Sequence, residues 1–208
     1  MNNQDQEINM GFTKEHLPVG VHACLIYDRE HERQKIVSEY LATGLKQGEQ
    51  VRYLADTTDP ESIRAWLVET GVELPEAEAS GAFSISKAEN AYCPNGHFAP
   101  NEYIAGMLPR FNRSKMAGYH GMRSCGEMTW ALRGIPGSNR LLEYEGLLNT
   151  VNSDFPFSGM CQYHARLFDG ATLFNVLKVH PWMVVRKIVQ NPYYILPQEF
   201  LKEFRSKP

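Results

Sequence analysis

The stretch VHACLIYDREHERQKIVSEYLATGLKQGEQVRYL, residues 21–54, admits few folds. HACLIY is a short apolar run bounded by polar residues, as in a strand buried within a parallel sheet. Asp28 is placed to cap a helix, with Glu30 and Glu32 in its first turn, where the helix dipole favours negative charge. Ile36, Val37, Tyr40, Leu41, Gly44 and Leu45 recur at helical spacing, and Gly48 is positioned to end the helix in a left-handed cap. QVRYLA follows at once, so the stretch reads as a βαβ unit. Where such a unit binds phosphate, its first turn is rich in glycine. Here the turn is DREHERQ, with no glycine, no lysine followed by serine or threonine, and three carboxylates. These acids repel a polyphosphate, so an ATPase of the P-loop kind is not expected.

The alternation continues along the chain. DPESIRAWLVETG (59–71) has proline at the first helical position and a terminal glycine, and GAFSIS (81–86) reads as a third strand. APNEYIAGMLPRFNRSKMAG (99–118) reads as a helix interrupted at Pro109. YHGMRSCGEMTWAL (119–132) contains a fourth strand, SNRLLEYEGLLNTVNSDF (138–155) a helix, and FSGMCQYHARLF (157–168) a fifth strand. DGATLFNVLKVHP is a further helix, and the remainder offers one or two edge strands and a short terminal helix. This order predicts an α/β fold, a mostly parallel sheet with helices on both faces. One domain is expected over residues 17–208. Residues 1–16 are expected to form a loose tail, because few apolar side chains there could offset the cost of ordering. KAENAYCPNGHF (87–98) is the expected flexible loop, from its Pro-Asn-Gly core.

A net charge of −3 over 208 residues points neither to nucleic acid nor to an anionic membrane. Cys24, Cys93, Cys125 and Cys161 show no CxxC pairing, and the N-terminus lacks the basic-then-apolar profile of a signal peptide. No apolar run approaches the roughly 18 residues of a membrane-spanning helix. A cytoplasmic protein with free thiols is therefore expected.

In open α/β sheets, ligands sit beyond the carboxyl ends of the strands. That rule selects Tyr27 and Asp28, Asp56, Glu127 to Trp130, and Tyr163 to Arg166. Glu127 suits a general base or a polar anchor in an apolar pocket, and equally a hydrogen-bond partner for a helix end. His22 and Cys24, two residues apart on one strand, face the same side. With Cys161 and His180 they form an alternative thiolate–imidazole metal site, although a strand cysteine is more often a small hydrophobe. A Cys–His nucleophilic pair is disfavoured, because same-face strand neighbours are poorly oriented to touch. Glu143 and Glu145 diverge by about 200° on a helix, so at most one points at the crevice and the other is expected in solvent. No Ser-His-Asp order, helix-borne HExxH, C2H2 pattern or basic recognition helix is present, and direct nucleic-acid contact is not expected.

YLATGLKQGEQVRY sets Tyr40, Leu41, Gly44, Leu45, Gly48, Glu49 and Tyr53 in the arrangement found just after the P-loop of KaiC-type, RecA-like ATPases. With the Walker motif missing, HACLIYDREHE, GLKQGE, GEMTWAL, EYEGLLN, CQYHARLF, KVHPWMVV and NPYY together resemble the MEDS domain. This is the methanogen/methylotroph sensory domain of DcmR-like regulators, and the resemblance spans roughly residues 16–202. It implies a three-layer RecA-like fold with a degenerate P-loop. It also implies a non-catalytic sensor of a small organic ligand, such as a halogenated or methylated hydrocarbon derivative, in signal transduction or transcriptional regulation. The family's His-x-Cys-x-x-Tyr falls on His22, Cys24 and Tyr27, and its Gly-Glu-Met/Leu-x-Trp on Glu127 and Trp130. Its Cys-x-Tyr and His-Pro fall on Cys161, Tyr163, His180 and Pro181. These residues, Pro181 apart, are the expected ligand-binding set, with no cofactor and no resident metal.

No helix-turn-helix or kinase-like region occurs within the 208 residues, so signalling is expected through a downstream protein or a second copy of the chain, as a homodimer. Three other readings stand beside this one. They are a metal- or thiol-dependent sensor or enzyme on His22, Cys24, Cys161 and His180, a residual nucleotide binder, and a pure interaction module.

Overall fold

In the computed structural model, which describes residues 7–151 and 156–206, the chain opens with an antiparallel hairpin of β1 (Glu7–Asn9) and β2 (His16–Pro18). The loose tail expected over 1–16 therefore gives way to structure at Glu7, and residues 1–6 lie outside the described residues. The hairpin orders because Ile8, Met10 and Leu17 are buried in the main core. Gly11, at φ 85°, lets its turn press onto the Glu39 carbonyl, where a Cβ would come within 2.3 Å.

The βαβ unit follows as β3 (His22–Tyr27), α1 (Glu30–Lys46) and β4 (Gln50–Ala55). Gly48 ends the helix at φ 74°, as its position predicts. Asp28 does not cap it. Arg29 takes the extended N-cap conformation without a side-chain cap bond, and Asp28 stays exposed. Next come α2 (Pro60–Glu69), capped by Asp59, then α3 (Leu74–Ala79) and β5 (Phe83–Lys87). The segment expected as a flexible loop begins with a short helix, α4 (Ala88–Tyr92), and buries Tyr92, Cys93 and Phe98.

The predicted helix over 99–118 breaks at Gly106 rather than Pro109, giving α5 (Pro100–Ala105) and α6 (Met107–Met116). Pro109 falls in the first turn of α6, where a missing N–H costs no helical hydrogen bond. The chain then forms β6 (Met122–Glu127), a 3₁₀ turn over Thr129–Arg133, another over Ser138–Arg140, and α7 (Leu141–Leu148). The part of the predicted helix over residues 152–155 lies outside the described residues. β7 (Phe157–His164), α8 (Gly170–Val179), β8 (Trp182–Val185), β9 (Lys187–Gln190) and α9 (Pro197–Arg205) complete the chain.

The main sheet runs β5-β4-β6-β7-β3-β8-β9, parallel throughout except for the antiparallel β8–β9 edge. Strand alternation sorts side chains into two cores. Ala23, Leu25, Tyr53, Cys125 and Met160 face α1 and α2. Cys24, Leu54, Cys161 and Tyr163 face α7. The three-layer α/β architecture is as the sequence predicts.

One buried ion pair ties the α1 side together. Arg123, fully buried, donates to both carboxylate oxygens of Glu49 (2.6 and 2.9 Å) and to the carbonyls of Tyr40 (2.8 Å) and Asn9 (3.0 Å). It thereby joins β6, α1 and the N-terminal hairpin. Arg123→Ala strands the Glu49 charge and should cost about 3–5 kcal/mol in urea denaturation. Adding Glu49→Gln to that variant should recover part of the loss.

Candidate functional site

The strand tips and the space behind them hold two polar systems, back to back across the sheet. The first lies on the α1 side. Arg33, in the first turn of α1 and 2% exposed, sits where a phosphate-binding helix would offer lysine and serine or threonine. Its guanidinium donates to Glu30, to Thr58 Oγ1 (2.6 Å), Gln162 Oε1 (3.0 Å) and Tyr53 Oη (3.2 Å), and lies 3.5 Å from Glu127 Oε1. The rings of Tyr27 and Trp66 pack beside it, with their centroids 5.1 and 5.2 Å away.

Glu127, at the end of β6, accepts from Tyr53 Oη on one oxygen (2.7 Å). Its other oxygen accepts from Thr57 N (2.6 Å), Thr57 Oγ1 (2.9 Å), Asp56 N and Thr58 N (both 3.1 Å). Burial opposes the Glu127 charge, but hydrogen bonds from Thr58, Tyr53 and Thr57 and the Arg33 charge hold its carboxyl below the ordinary range. Tyr27 is also on this side, its hydroxyl pushed up to about 12 by burial. Outside the network, Tyr27, Asp28, Arg29, Glu32, Arg33 and Arg186 line an open depression of about 430 Å³.

The second system lies on the α7 side. His22 (β3), Cys161 (β7), Glu145 (α7) and His180, which caps the C-terminus of α8, are all buried. Each offers one ligand-type atom, and these atoms lie within 4.8 Å of one another. His22 Nε2 is 3.1 Å from Glu145 Oε2, Cys161 Sγ is 3.4 Å from the same oxygen, and Sγ to His22 Nε2 is 3.6 Å. His180 Nε2 stands 3.5 Å from that oxygen and has no hydrogen-bond partner among the described residues. Tyr163 Oη donates to Glu145 Oε1 (2.5 Å).

The far nitrogens of both imidazoles are fixed. His22 Nδ1 is 2.9 Å from Asn149 Oδ1, and His180 Nδ1 is 2.8 Å from the Val176 carbonyl. Asn149 is itself oriented, since its amide donates to the carbonyls of Glu145 (3.1 Å) and Val179 (2.6 Å). Both Nδ1 atoms therefore face acceptors and carry protons. Burial and the adjacent His180 ring hold His22 below the usual imidazole range. Burial and Glu145 push the Cys161 thiol well up.

Beside this cluster is a cage of aromatic rings. Tyr92 stacks between Trp130 (4.9 Å) and Tyr103 (5.0 Å), and Tyr144 and Phe98 meet it edge-on at 5.7 and 6.2 Å. Trp130 is fully buried, and its Nε1 has no hydrogen-bond partner among the described residues. A cavity of about 210 Å³ opens on the outer side, lined by Tyr92, Tyr103, Pro94, Asn95, His97 and Arg110 among others.

The residues singled out in the sequence thus divide between the two faces. Tyr27 and Glu127 belong to the α1 side, and His22, Cys24, Trp130, Cys161, Tyr163 and His180 to the α7 side. Glu127 is enclosed by the protein's own donors. The Cys24 thiol donates to the Trp182 carbonyl (3.7 Å), and Glu145, not Cys24, stands beside His22, Cys161 and His180. Neither glutamate of α7 is in solvent, because Glu143 is also buried, between Arg140 (2.8 Å) and Arg205 (2.9 Å). Arg33, Tyr53, Gln162, Asn149, Tyr92 and Tyr144 were not foreseen as site residues.

A mostly parallel sheet in this order, with its tip closed by an ion pair instead of a glycine-rich loop, defines a RecA-like α/β domain with a degenerate P-loop. The chain belongs to the MEDS family, the methanogen/methylotroph, DcmR sensory domain, whose sequence model matches residues 21–181. It is 28% identical over 162 residues to the transcriptional repressor DcmR of Methylorubrum extorquens (strain DSM 6343 / CIP 106787 / DM4), covering 76% of this chain and 57% of the repressor. The chain thus spans little more than half the length of that relative.

Among solved structures it is similar to a KaiC-like protein from Pyrococcus horikoshii OT3 (TM-score 0.57, 12% identity, 86% of this chain and 79% of that one). An uncharacterized protein from Pyrococcus horikoshii in complex with an unknown peptide is comparable (TM-score 0.58, 12% identity, 77% and 75%). So is the flagellar accessory protein FlaH from Methanocaldococcus jannaschii (TM-score 0.51, 8% identity, 80% and 74%). At such identities these structures speak to the fold alone. The family match gives the chain a sensory or regulatory role. Among the described residues, no helix is long and apolar enough to cross a membrane.

The depressed Glu127 carboxyl makes a pH prediction. Its stabilisation is fully present above the ordinary value of 4.5 and is lost as pH falls through the lower folded value. Urea midpoints measured between pH 7 and pH 3 should fall less steeply in Glu127→Gln than in the wild type. At pH 7 the variant should be less stable by about 3 kcal/mol, since Arg33 loses its buried partner.

Proposed function

We propose that the chain is a non-catalytic sensory module that takes a small, neutral organic molecule into the aromatic cage of Tyr92, Phe98, Tyr103, Trp130 and Tyr144. The supporting observation is the cage itself: five rings in mutual contact, two of which, Tyr92 and Tyr103, line a cavity of about 210 Å³, while Trp130 carries a buried N–H with no partner among the described residues. Aromatic walls with a few polar groups suit a small ligand, and Asn95, His97, Glu102 and Arg110 line the outer cavity beside Tyr92 and Tyr103. A molecule of one or a few carbons bearing a halogen or an oxygen would stack among the rings and accept from Trp130 Nε1. Halogenated and methylated hydrocarbon derivatives, the class implied by the family, meet that description.

The opposite face offers a nucleotide little. Arg33 and Glu127 are already engaged there, and at the entrance Glu32 lies within ion-pair reach of Arg29 and Arg186, with Asp28 beside them. A ligand signals only by binding one conformation better than another. The segment from α4 to Phe98 forms one wall of the cage and is the part we expect to shift. The regulator that reads the shift would be a downstream protein or a second copy of the chain, acting in transcriptional regulation as in the DcmR relative.

Calorimetry and tryptophan fluorescence with halomethanes, methylated amines, small alcohols and small aromatics test this reading. Saturable binding is expected for one class, weakened about tenfold in Trp130→Phe, which keeps a ring and removes the N–H. Silence across that panel, with binding of a fluorescent ATP analogue instead, would overturn it.

A further inference from the structure

We propose that His22, Glu145, Cys161 and His180 form a binding site for a divalent metal ion of the zinc class. The case is independent of the aromatic cage, so either site can fail without the other.

The first observation is where the protons are. Both Nδ1 atoms point at fixed acceptors, His22 at Asn149 Oδ1 and His180 at the Val176 carbonyl. Each ring therefore turns its Nε2 inward, toward the same oxygen of Glu145, at 3.1 and 3.5 Å. The Cys161 thiol meets that oxygen as well, at 3.4 Å, and among the described residues His180 Nε2 has no hydrogen-bond partner. A cation at this point would have four ligand atoms around it. Asn149 and the Val176 carbonyl then play the part of the outer partners that orient ligating histidines.

The second observation is the spacing. A zinc ion with ligand distances of about 2.0–2.3 Å in a tetrahedron separates its ligand atoms by about 3.3–3.6 Å. Four of the six separations here are 3.1, 3.4, 3.5 and 3.6 Å. Four separate elements deliver these atoms, so the match does not follow from one local turn.

The third observation is charge. Among the described residues, Glu145 pairs with no lysine or arginine, and its partners are the two histidines, the Cys161 thiol and the Tyr163 hydroxyl. A carboxylate and a thiolate together neutralise a divalent ion, leaving the buried centre without net charge. Two imidazoles, one thiolate and one carboxylate suit borderline-soft zinc better than magnesium or calcium, which prefer all-oxygen shells. Binding would release the Cys161 proton to solvent, since the thiolate is the ligand.

The full chain, purified without chelator, should hold about one equivalent of zinc by elemental mass spectrometry. After metal removal, cobalt(II) should bind with intense visible bands of tetrahedral coordination and a near-ultraviolet thiolate-to-cobalt band. Cys161→Ser should abolish the near-ultraviolet band, and Cys24→Ser should keep it. Less than about a tenth of an equivalent of any transition metal after reconstitution would overturn the proposal. So would wild-type cobalt protein without the thiolate band, or loss of that band in Cys24→Ser but not in Cys161→Ser. Should Cys161→Ser fail to fold, the wild-type spectrum decides, together with the melting temperature, which should rise with zinc and fall with chelator.

Discussion

A parallel sheet covered on both faces offers its polar side chains no water. Each must find partners on the face to which strand alternation sends it. β7 shows the consequence most directly. Gln162 points to the α1 side and joins Arg33 and Tyr53, whereas its neighbours Cys161 and Tyr163 point to the α7 side and join Glu145. One strand therefore feeds two polar systems that the sheet separates. Shifting its register by a single residue would exchange their contents.

On the α1 side the result is a closed strand tip. Backbone amides of Asp56, Thr57 and Thr58 converge on one oxygen of Glu127, a grouping of N–H donors that elsewhere binds anions. Here the anion is the protein's own carboxylate, and Arg33 supplies the cation from the first turn of α1. The frame of a nucleotide-binding unit is retained, but its charged positions are satisfied internally. The acidic turn DREHERQ accordingly reads as the surface of an ion-pair network: Glu30 pairs with Arg33, and Glu32 lies 3.5 Å from Arg29 and 3.6 Å from Arg186.

Most of this fold was legible because apolar periodicity and glycine stops record burial directly. His22 and Cys24 share a face for the simple reason that a strand repeats every two residues. Glu145 was harder to read. Divergence between i and i+2 on a helix forces one side chain into solvent only if the helix has a solvent side. α7 has almost none, being packed by the sheet, α5, α8 and α9, and six of its eight residues are buried. The available signal was the absence of lysine or arginine from LLEYEGLL: Arg140, just before it, reaches Glu143 three residues on, and Glu145 is left without a local cation. Arg33 was overlooked for a related reason. Counting the acids of the turn hid its one basic residue on the inward side of the helix. The hairpin at residues 7–18 was missed because its three apolar anchors, Ile8, Met10 and Leu17, are too widely spaced to form a run.

The two sides meet at β6 and β7. Gly126 pairs with Cys161 across these strands, and a Cβ on it would lie 2.7 Å from the Tyr92 hydroxyl and 2.9 Å from Met128 Cε. The bare strand at Gly126 is what admits Tyr92, and with it α4, to the wall of the cage. One residue on, Glu127 points the other way into the closed tip. β6 thus anchors the closed hydrogen-bond network on one face and the Tyr92 wall of the cage on the other. Separating Tyr92 from Trp130 and Tyr103 forfeits two stacked contacts, each worth about 0.5–1.5 kcal/mol beyond simple burial. A ligand that opens the cage must return more than that from its own contacts. A ligand that merely fills the outer cavity leaves the stack intact. In the proposed module, selectivity would rest on which molecule can replace an aromatic ring, while the Glu127 tip behind β6 is held by hydrogen bonds that the cage does not share.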